Sequence, residues 1–146
     1  MKNILKFDEM TTKTLLWLDD IRDPNTGNWL DFSPIEKPYD VIWVKSYKEF
    51  VDWIKINGLP TAICFDHDLG MIVTLAAREK GMSKRKSREL KKYEMSGYDC
   101  AKWLVEYCID NDLDVPLYNI QSANPVGKEN IDMLFKNYSN FRNKNR

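Results

Sequence analysis

The stretch TAICFDHDLG, residues 61–70, carries the strongest indication of the fold. A continuously apolar run ends at Phe65 and is followed at once by Asp66, His67 and Asp68; His67 is the single histidine of the chain. Such a run is typical of a strand buried on both faces of a parallel sheet. Placing two carboxylates beside each other at its end costs free energy through desolvation and repulsion. We therefore expect a functional site at the end of this strand.

Short apolar runs alternate along the chain with segments of helical periodicity, which predicts an α/β domain with a parallel sheet. The predicted strands are residues 15–20, 41–46, 61–66 and 115–122. The predicted helices are residues 47–57, 97–111 and 127–138. Ser46 with Glu49, and Ser96 with Asp99, have the spacing of helix-capping boxes.

The chain has 146 residues, a length that fits one domain. We expect a polar lead-in over residues 1–14 and a single domain over residues 15–140. A proline-rich segment after the first strand predicts an irregular loop, held down by Trp29 and Phe32. Residues 71–95 predict a charged helical insertion within the domain, and the last four residues predict a frayed tail.

The composition, 43% hydrophobic and 30% charged, is typical of a water-soluble globular protein. No apolar segment approaches the roughly 20 residues of a membrane-spanning helix, and the N-terminus lacks a signal-peptide core. We therefore expect no membrane association and a cytoplasmic location. Cys64, Cys100 and Cys108 have no CxxC spacing, which favours reduced core residues over disulfides or a zinc site.

The formal net charge is zero, but the charge is unevenly distributed. Residues 1–70 have a net charge of −4, residues 71–96 of +5 and residues 97–146 of −1. This pattern favours a local anionic ligand over general binding of duplex nucleic acid. The basic run at residues 84–92 predicts either a solvated helical face or a lid or collar over such a ligand.

Ligand sites of parallel sheets lie at the carboxyl ends of the strands. If the first and third strands are neighbours, their ends bring together Asp19, Asp20, Asp66 and Asp68. Crowded carboxylates either retain a proton or recruit a cation, and this set suits Mg²⁺ or Mn²⁺ better than zinc. Because alternate residues of a strand point to opposite faces, Asp19 and Asp20 can both be ligands only if the strand ends between them.

Other side chains at the same edge favour a phosphate group. Arg22 offers a guanidinium, Ser122 and Asn124 are short donors, and Lys128 lies beside the start of the last helix. Each also has a structural interpretation: Ser122 as a cap, Asn124 as a turn residue, and the nearby acids as turn or cap residues. His67 is either an acid–base group or a structural hydrogen-bonding residue.

The motifs LWLDDIRDP, FDHDLG, SGYDCAKWL and IQSANPVG occur in this order over about residues 15–135. With them the chain resembles the cyclic-phosphate-processing receiver-like family, relatives of the response-regulator receiver domain in bacteria and their viruses. The resemblance implies a small three-layer, flavodoxin-like domain with a mainly parallel four-stranded sheet in the order 2-1-3-4, carrying the basic helical insertion. It also implies the bacterial cytosol, including that of a virus-infected host.

The resemblance further implies that Asp19 and Asp20 are the acidic pair that holds Mg²⁺ and that Asp66 matches the phosphoacceptor aspartate. Ser122 matches the hydroxyl residue after the fourth strand. Three features depart from the family pattern. Gln121 stands where a histidine is usual, residues 71–95 are inserted, and no fifth strand with the receiver's lysine follows.

Two principal functions remain open from the sequence. The first is metal-dependent hydrolysis of a cyclic phosphate or cyclic nucleotide, in which Asp66, His67 and Asp68 are the candidate catalytic residues. The second is a binding module that senses or sequesters a nucleotide signal without turnover, as in a viral counter-defence protein. The expected ligand is a phosphate-containing small molecule or an RNA end. A protein-interaction domain with a residual acidic rim is a third alternative.

Overall fold

The computed structural model describes residues 12–91 and 95–145, so most of the predicted lead-in and residues 92–94 of the insertion lie outside the described residues. Four parallel strands form one sheet in the order β2-β1-β3-β4. The strands are β1, Thr14–Leu18; β2, Asp40–Val44; β3, Ala62–Phe65; and β4, Leu117–Ile120. The predicted α/β class and strand order are confirmed.

Five α-helices and one 3₁₀ helix, Trp29–Phe32, surround the sheet in the described part of the chain. The α-helices are α1, Tyr47–Asn57; α2, Met71–Glu79; α3, Lys84–Lys91; α4, Gly97–Asn111; and α5, Pro125–Lys144. The Ser46 side chain accepts a hydrogen bond from the Glu49 amide, and Ser96 with Asp99 forms a capping box. Both predicted helix starts are therefore confirmed.

The last helix is longer than the sequence pattern indicated. It begins at Pro125, because the Asn124 side chain caps it by accepting from the Gly127 amide and proline suits a first turn. At the other end, Arg142 bonds Asp114 at 2.7 Å and Asp112 at 3.0 Å. These bonds tie the end of α5 to the segment after α4. The helix continues to Lys144, so the prediction of a frayed tail is wrong for residues 143 and 144.

The two faces of the sheet are covered differently. Helices α1, α4 and α5 pack on one face through core residues such as Phe50, Leu104 and Phe135. The opposite face of the sheet carries Trp17 and Cys64. The loop between β1 and β2 covers this face, because its residues Trp29 and Phe32 pack against the buried side chains there. Connections between parallel strands of one sheet are right-handed. The connection from β1 to β2 crosses the sheet in the opposite direction from the later connections, so it lies on the opposite face.

The described part of the insertion is helical, as predicted, and its two helices form a hairpin. α2 packs against α3, with Ala77 and Ser87 buried, and Gly81 takes a positive φ of 86° in the turn between them. Cys64, Cys100 and Cys108 are buried and unpaired, which confirms the expectation of reduced core thiols. Within residues 12–91 and 95–145, no helix has both the length and the apolar character needed to cross a membrane.

Candidate functional site

The site lies where β1 and β3 end side by side. β1 ends at Leu18, but the ladder continues for one residue on each strand: the Asp19 amide donates to the Val44 carbonyl at 3.1 Å, and the Asp66 amide to the Leu18 carbonyl at 2.9 Å. Asp20 already lies in the bend after the strand. The strand geometry thus ends between Asp19 and Asp20, which is the condition for both side chains to point to the same site.

Three carboxylates meet at this edge. Asp19, Asp20 and Asp66 each offer one oxygen, and these oxygens lie within 4.8 Å of one another. All three residues are buried, at 0%, 2% and 6% exposure. Three anionic oxygens at this spacing form a ligand set suited to a hard divalent cation such as Mg²⁺ or Mn²⁺.

The two oxygens of Asp19 have different surroundings. Oδ1 accepts hydrogen bonds from the amides of Ile21 at 3.1 Å and Arg22 at 2.9 Å. Oδ2 is buried and has no hydrogen-bond partner within the described part of the chain; its nearest cation is Arg22 Nη1, at 3.7 Å. A buried acceptor left unsatisfied costs about 1–3 kcal/mol. The donor set and this orphaned oxygen therefore fit a cation bound between the three acids.

The pKa of the Asp66 carboxyl is raised from its ordinary 3.8 to about 7, chiefly by burial. The neighbouring carboxylates of Asp19 and Asp20 contribute to this rise, while Arg22 and a hydrogen bond from the Asp68 backbone oppose it. Since the raising effects dominate, a proton is retained on this carboxyl up to near neutral pH.

Arg22 is held in place from several sides. Its Nη1 donates to the Gln121 carbonyl at 3.0 Å, and its Cζ lies 4.8 Å from the centroid of the Trp29 ring. Its own carbonyl accepts from the indole of Trp17 at 3.0 Å. A guanidinium has five N–H donors, and the Gln121 bond engages Nη1 alone. The remaining donors are suited to an oxyanion.

A pocket of about 160 Å³ opens beside the carboxylates. Its lining residues are Asp20, Ile21, Arg22, Asp66, Asp68 and Ala123. Because one water occupies about 30 Å³ of liquid, the volume suits a phosphoryl group with a cation and few waters. Pockets for whole small-molecule ligands usually measure about 300–1,000 Å³. A nucleoside attached to the phosphoryl group would therefore lie outside.

His67 is packed away from this lining. Its Nδ1 lies 3.3 Å from Asp68 Oδ1, and its ring fills the space that a side chain at Gly127 would occupy. Its carbonyl accepts from the Gly97 amide at 2.8 Å. The imidazole can therefore act on the pocket through Asp68, which does line it.

The other predicted phosphate ligands have local partners. Ser122 Oγ accepts from the Asn124 amide at 3.1 Å, and Asn124 Oδ1 caps α5 by accepting from the Gly127 amide at 3.0 Å. Lys128 lines a separate pocket along β4 with Tyr118 and others. The structure thus brings together Asp19, Asp20, Arg22, Asp66 and Asp68, and it does not place His67, Ser122, Asn124 or Lys128 in the lining of the pocket.

The supporting contacts of two residues were not predicted from the sequence, which identified Gln121 only as the residue in place of a usual histidine. Gln121 is 4% exposed; its Nε2 donates to the Leu18 carbonyl at 3.0 Å, and its Oε1 has no partner among the described residues. Trp43 donates from its indole to the Asp19 carbonyl at 2.7 Å. For Gln121 the usable sequence signal is an amide side chain directly after an apolar run. For Trp43 no sequence signal exists, because its hydrogen bond joins two strands.

Comparison with protein families gives one match. The family model described as Cyclic-phosphate processing Receiver domain matches residues 14–137, and thus the whole sheet and its acidic edge. The match confirms the resemblance inferred from the four motifs. Comparisons with curated proteins and with solved structures gave no match.

Proposed function

Since the chain belongs to the cyclic-phosphate processing receiver family, we propose that it is a metal-dependent phosphoesterase that hydrolyses a cyclic phosphate or cyclic nucleotide at the acidic pocket. The observation that carries this proposal is the buried triad Asp19, Asp20 and Asp66, with an unsatisfied Asp19 oxygen, beside a pocket of phosphoryl size. Such a triad is costly without a ligand, which supports a role in binding one.

The three carboxylates of the triad would hold Mg²⁺ or Mn²⁺. When bound, the cation neutralises their charge and polarises a phosphoryl oxygen. The protein's own part is to bind and orient the phosphate. Arg22 lines the pocket and is braced by the Trp29 ring, and hydrogen bonds of its guanidinium to described residues engage only Nη1. Its other donors can therefore hold a second phosphoryl oxygen and favour the charge that develops during attack.

Hydrolysis needs a proton acceptor for the attacking water, and Asp68 is suited to this role. It lines the pocket, and its side chain is 47% exposed, so water reaches it. Asp68 takes a proton as the water oxygen bonds to phosphorus and one ester P–O bond breaks. Asp68 then gives this proton to the released alkoxide oxygen, which leaves a phosphomonoester with a free hydroxyl and returns Asp68 to its ionised form. His67, 3.3 Å from Asp68, orients this carboxylate.

The test is hydrolysis of 2′,3′- and 3′,5′-cyclic nucleotides with Mg²⁺, followed by chromatography. Asp66→Asn should lower the rate on the order of 100-fold or more, since it removes a charge from the metal and phosphate site. Asp31→Asn, an exposed acid in the 3₁₀ helix, is the matched control and should leave the rate unchanged. Equal rates for wild type and Asp66→Asn would refute this mechanism.

A second candidate function is binding of a nucleotide signal without turnover. It is favoured by the position of His67 outside the pocket lining, and by Gln121, whose neutral amide cannot transfer protons as a histidine would. Calorimetry that shows saturable binding of a cyclic nucleotide, with no product after prolonged incubation, would select this function over the first.

A further inference from the structure

The α2–α3 hairpin has a strong positive charge. Residues 71–91 contain seven Lys and Arg against two Glu, a net charge of +5. In the described part of the hairpin Arg85 pairs with Glu89, with Nε and Oε1 3.9 Å apart. Five further cations form no ion pair with a described residue: Arg78, Lys80, Lys84, Lys86 and Arg88. The hairpin thus presents cationic groups that no acid among residues 12–91 and 95–145 neutralises by an ion pair.

Both stems of the hairpin leave the rim of the acidic pocket. α2 begins at Met71, three residues after Asp68, which lines the pocket. On the return side, α4 begins at Gly97, whose amide donates to the His67 carbonyl at 2.8 Å. The base of the hairpin is therefore fixed beside the pocket by the buried Leu69 on one side and by this hydrogen bond on the other.

The pocket and the hairpin are suited to different chemical groups, a phosphoryl group in the pocket and an extended polyanion along the hairpin. A pocket of about 160 Å³ takes a phosphoryl group and leaves the attached nucleoside outside. A ligand that continued from there as a chain of phosphodiesters would carry one negative charge for every added nucleotide past a cationic surface. Charge complementarity therefore favours a polyanionic chain over a single nucleotide.

We propose that the α2–α3 hairpin binds the backbone of a single-stranded RNA whose terminal phosphate occupies the acidic pocket. This inference rests on the proposed function of the pocket and names its substrate class. RNA is required because a cyclic phosphate at the end of a strand needs a 2′-hydroxyl. A single strand is required because a narrow pocket admits a free end, whereas the end of a duplex must first unpair.

The dimensions of the hairpin agree with such a ligand. The nine residues of α2 extend over about 14 Å. Phosphates along a strand are at least roughly 3.4 Å apart, so the hairpin can contact a few consecutive ones. Lys84 and Arg88, one helical turn apart on α3, share one face and are exposed, as is Lys86.

The test compares three ligands that undergo no turnover: 3′-AMP, an eight-nucleotide RNA ending in a 3′-phosphate, and the same RNA ending in a hydroxyl. Binding is measured in Mg²⁺ by calorimetry for 3′-AMP and by fluorescence anisotropy for the RNAs. We expect the wild type to bind the phosphate-ended RNA about ten-fold or more tightly than 3′-AMP. Equal affinities would overturn the inference.

The variant removes three hairpin cations together, as Lys84→Gln, Lys86→Gln and Arg88→Gln. This variant should bind the phosphate-ended RNA little more tightly than 3′-AMP, and its affinity for 3′-AMP should equal that of the wild type. The slope of log affinity against log salt should become less steep by roughly 2, because each phosphate contact on a single strand contributes about 0.7. The substituted side chains are exposed, so an unchanged melting temperature should confirm the fold.

The matched control removes the same charge elsewhere, as Lys37→Gln, Lys55→Gln and Lys144→Gln. These exposed residues lie in the loop before β2 and in the last turns of α1 and α5, at the opposite edge of the sheet from the pocket. RNA binding should remain close to wild type. An equal loss in both triple variants would overturn the inference, because it would show a general charge effect.

The hydroxyl-ended RNA separates the two proposals. If the hairpin cations are needed for RNA binding but the terminal phosphate is not, and 3′-AMP does not bind, the proposed function of the pocket fails. If 3′-AMP and phosphate-ended RNA bind equally and independently of the hairpin, the pocket function is retained and the hairpin inference fails. Binding that needs both the hairpin and the terminal phosphate supports both.

Discussion

Gly127 lies directly against the imidazole of His67: a methyl group at Gly127 would stand 2.8 Å from Nδ1 and closer still to Cγ. A second glycine, Gly97, lies directly against the backbone of Asp66, the residue before His67. A methyl group at Gly97 would stand 2.8 Å from the carbonyl carbon of Asp66 and closer still to its oxygen. The first turns of α4 and α5 thus press on the segment from Asp66 to Asp68. Gly97 is needed because two backbones approach closely there, and Gly127 because the His67 ring lies against its Cα.

Gly127→Ala should displace the His67 ring, because a methyl group cannot fit beside it. We expect a loss of about 1–3 kcal/mol of unfolding free energy, as for other overpacked sites. The NMR signals of the His67 ring should shift as its contact with Asp68 changes. Asn130→Ala, at an exposed position of α5, is the control and should leave those signals in place. Unchanged His67 signals in Gly127→Ala would contradict the packing described.

The pH dependence of stability should report Asp66 when divalent cations are removed by a chelator. Its pKa is 3.8 ordinarily and about 7 in the folded protein. Between about pH 4 and pH 7 the unfolded chain releases this proton while the folded protein keeps it, so this group lowers stability as the pH rises through that window.

Asp66→Asn removes this effect. Above about pH 7 the variant should be more stable than wild type by a few kcal/mol at most, since one pKa unit corresponds to about 1.4 kcal/mol. The difference should shrink as the pH falls towards 4. Urea denaturation at a series of pH values measures it, and a difference that does not vary with pH would count against a buried, protonated Asp66.

Mg²⁺ should raise the melting temperature of the wild type, because a ligand that binds only the folded state stabilises it in proportion to the logarithm of its concentration. The shift should be larger near pH 8 than near pH 6, since the cation must displace the proton on Asp66. Asp19→Asn should remove most of the shift, and the exposed Asp110→Asn should not. A shift that survives in Asp19→Asn would place the cation elsewhere.

The three thiols should be inert in the folded protein. Burial raises the pKa of Cys64 to about 12, that of Cys108 to about 11 and that of Cys100 further still. Because the thiolate is the reactive form, an aromatic disulfide reagent near pH 8 should label almost no thiol in the native protein. It should label all three after unfolding. Rapid labelling of one thiol under native conditions would show that its surroundings open locally.

The parallel sheet and the acidic cluster could be predicted from the sequence for a common physical reason, whereas the order of the strands came from the family resemblance. Short apolar runs indicate buried parallel strands, and the carboxyl ends of neighbouring parallel strands share an edge. Asp19 and Asp66 follow such runs directly, so their meeting required only that β1 and β3 be neighbours. The extent of α5 could not be predicted in this way, because Arg142 pairs with Asp112 and Asp114 some 30 positions earlier.

The sequence by itself determined which carboxylates meet, because a backbone position at the end of a strand largely fixes where a short side chain lies. Only the tertiary structure decided the placing of the longer or more mobile groups. The His67 ring lies beside Asp68 and outside the pocket lining, in space left by the missing side chain of Gly127, a residue 60 positions away. Lys128 lies along β4 instead of at the acids. Such contacts join distant parts of the chain, and local sequence patterns carry no record of them.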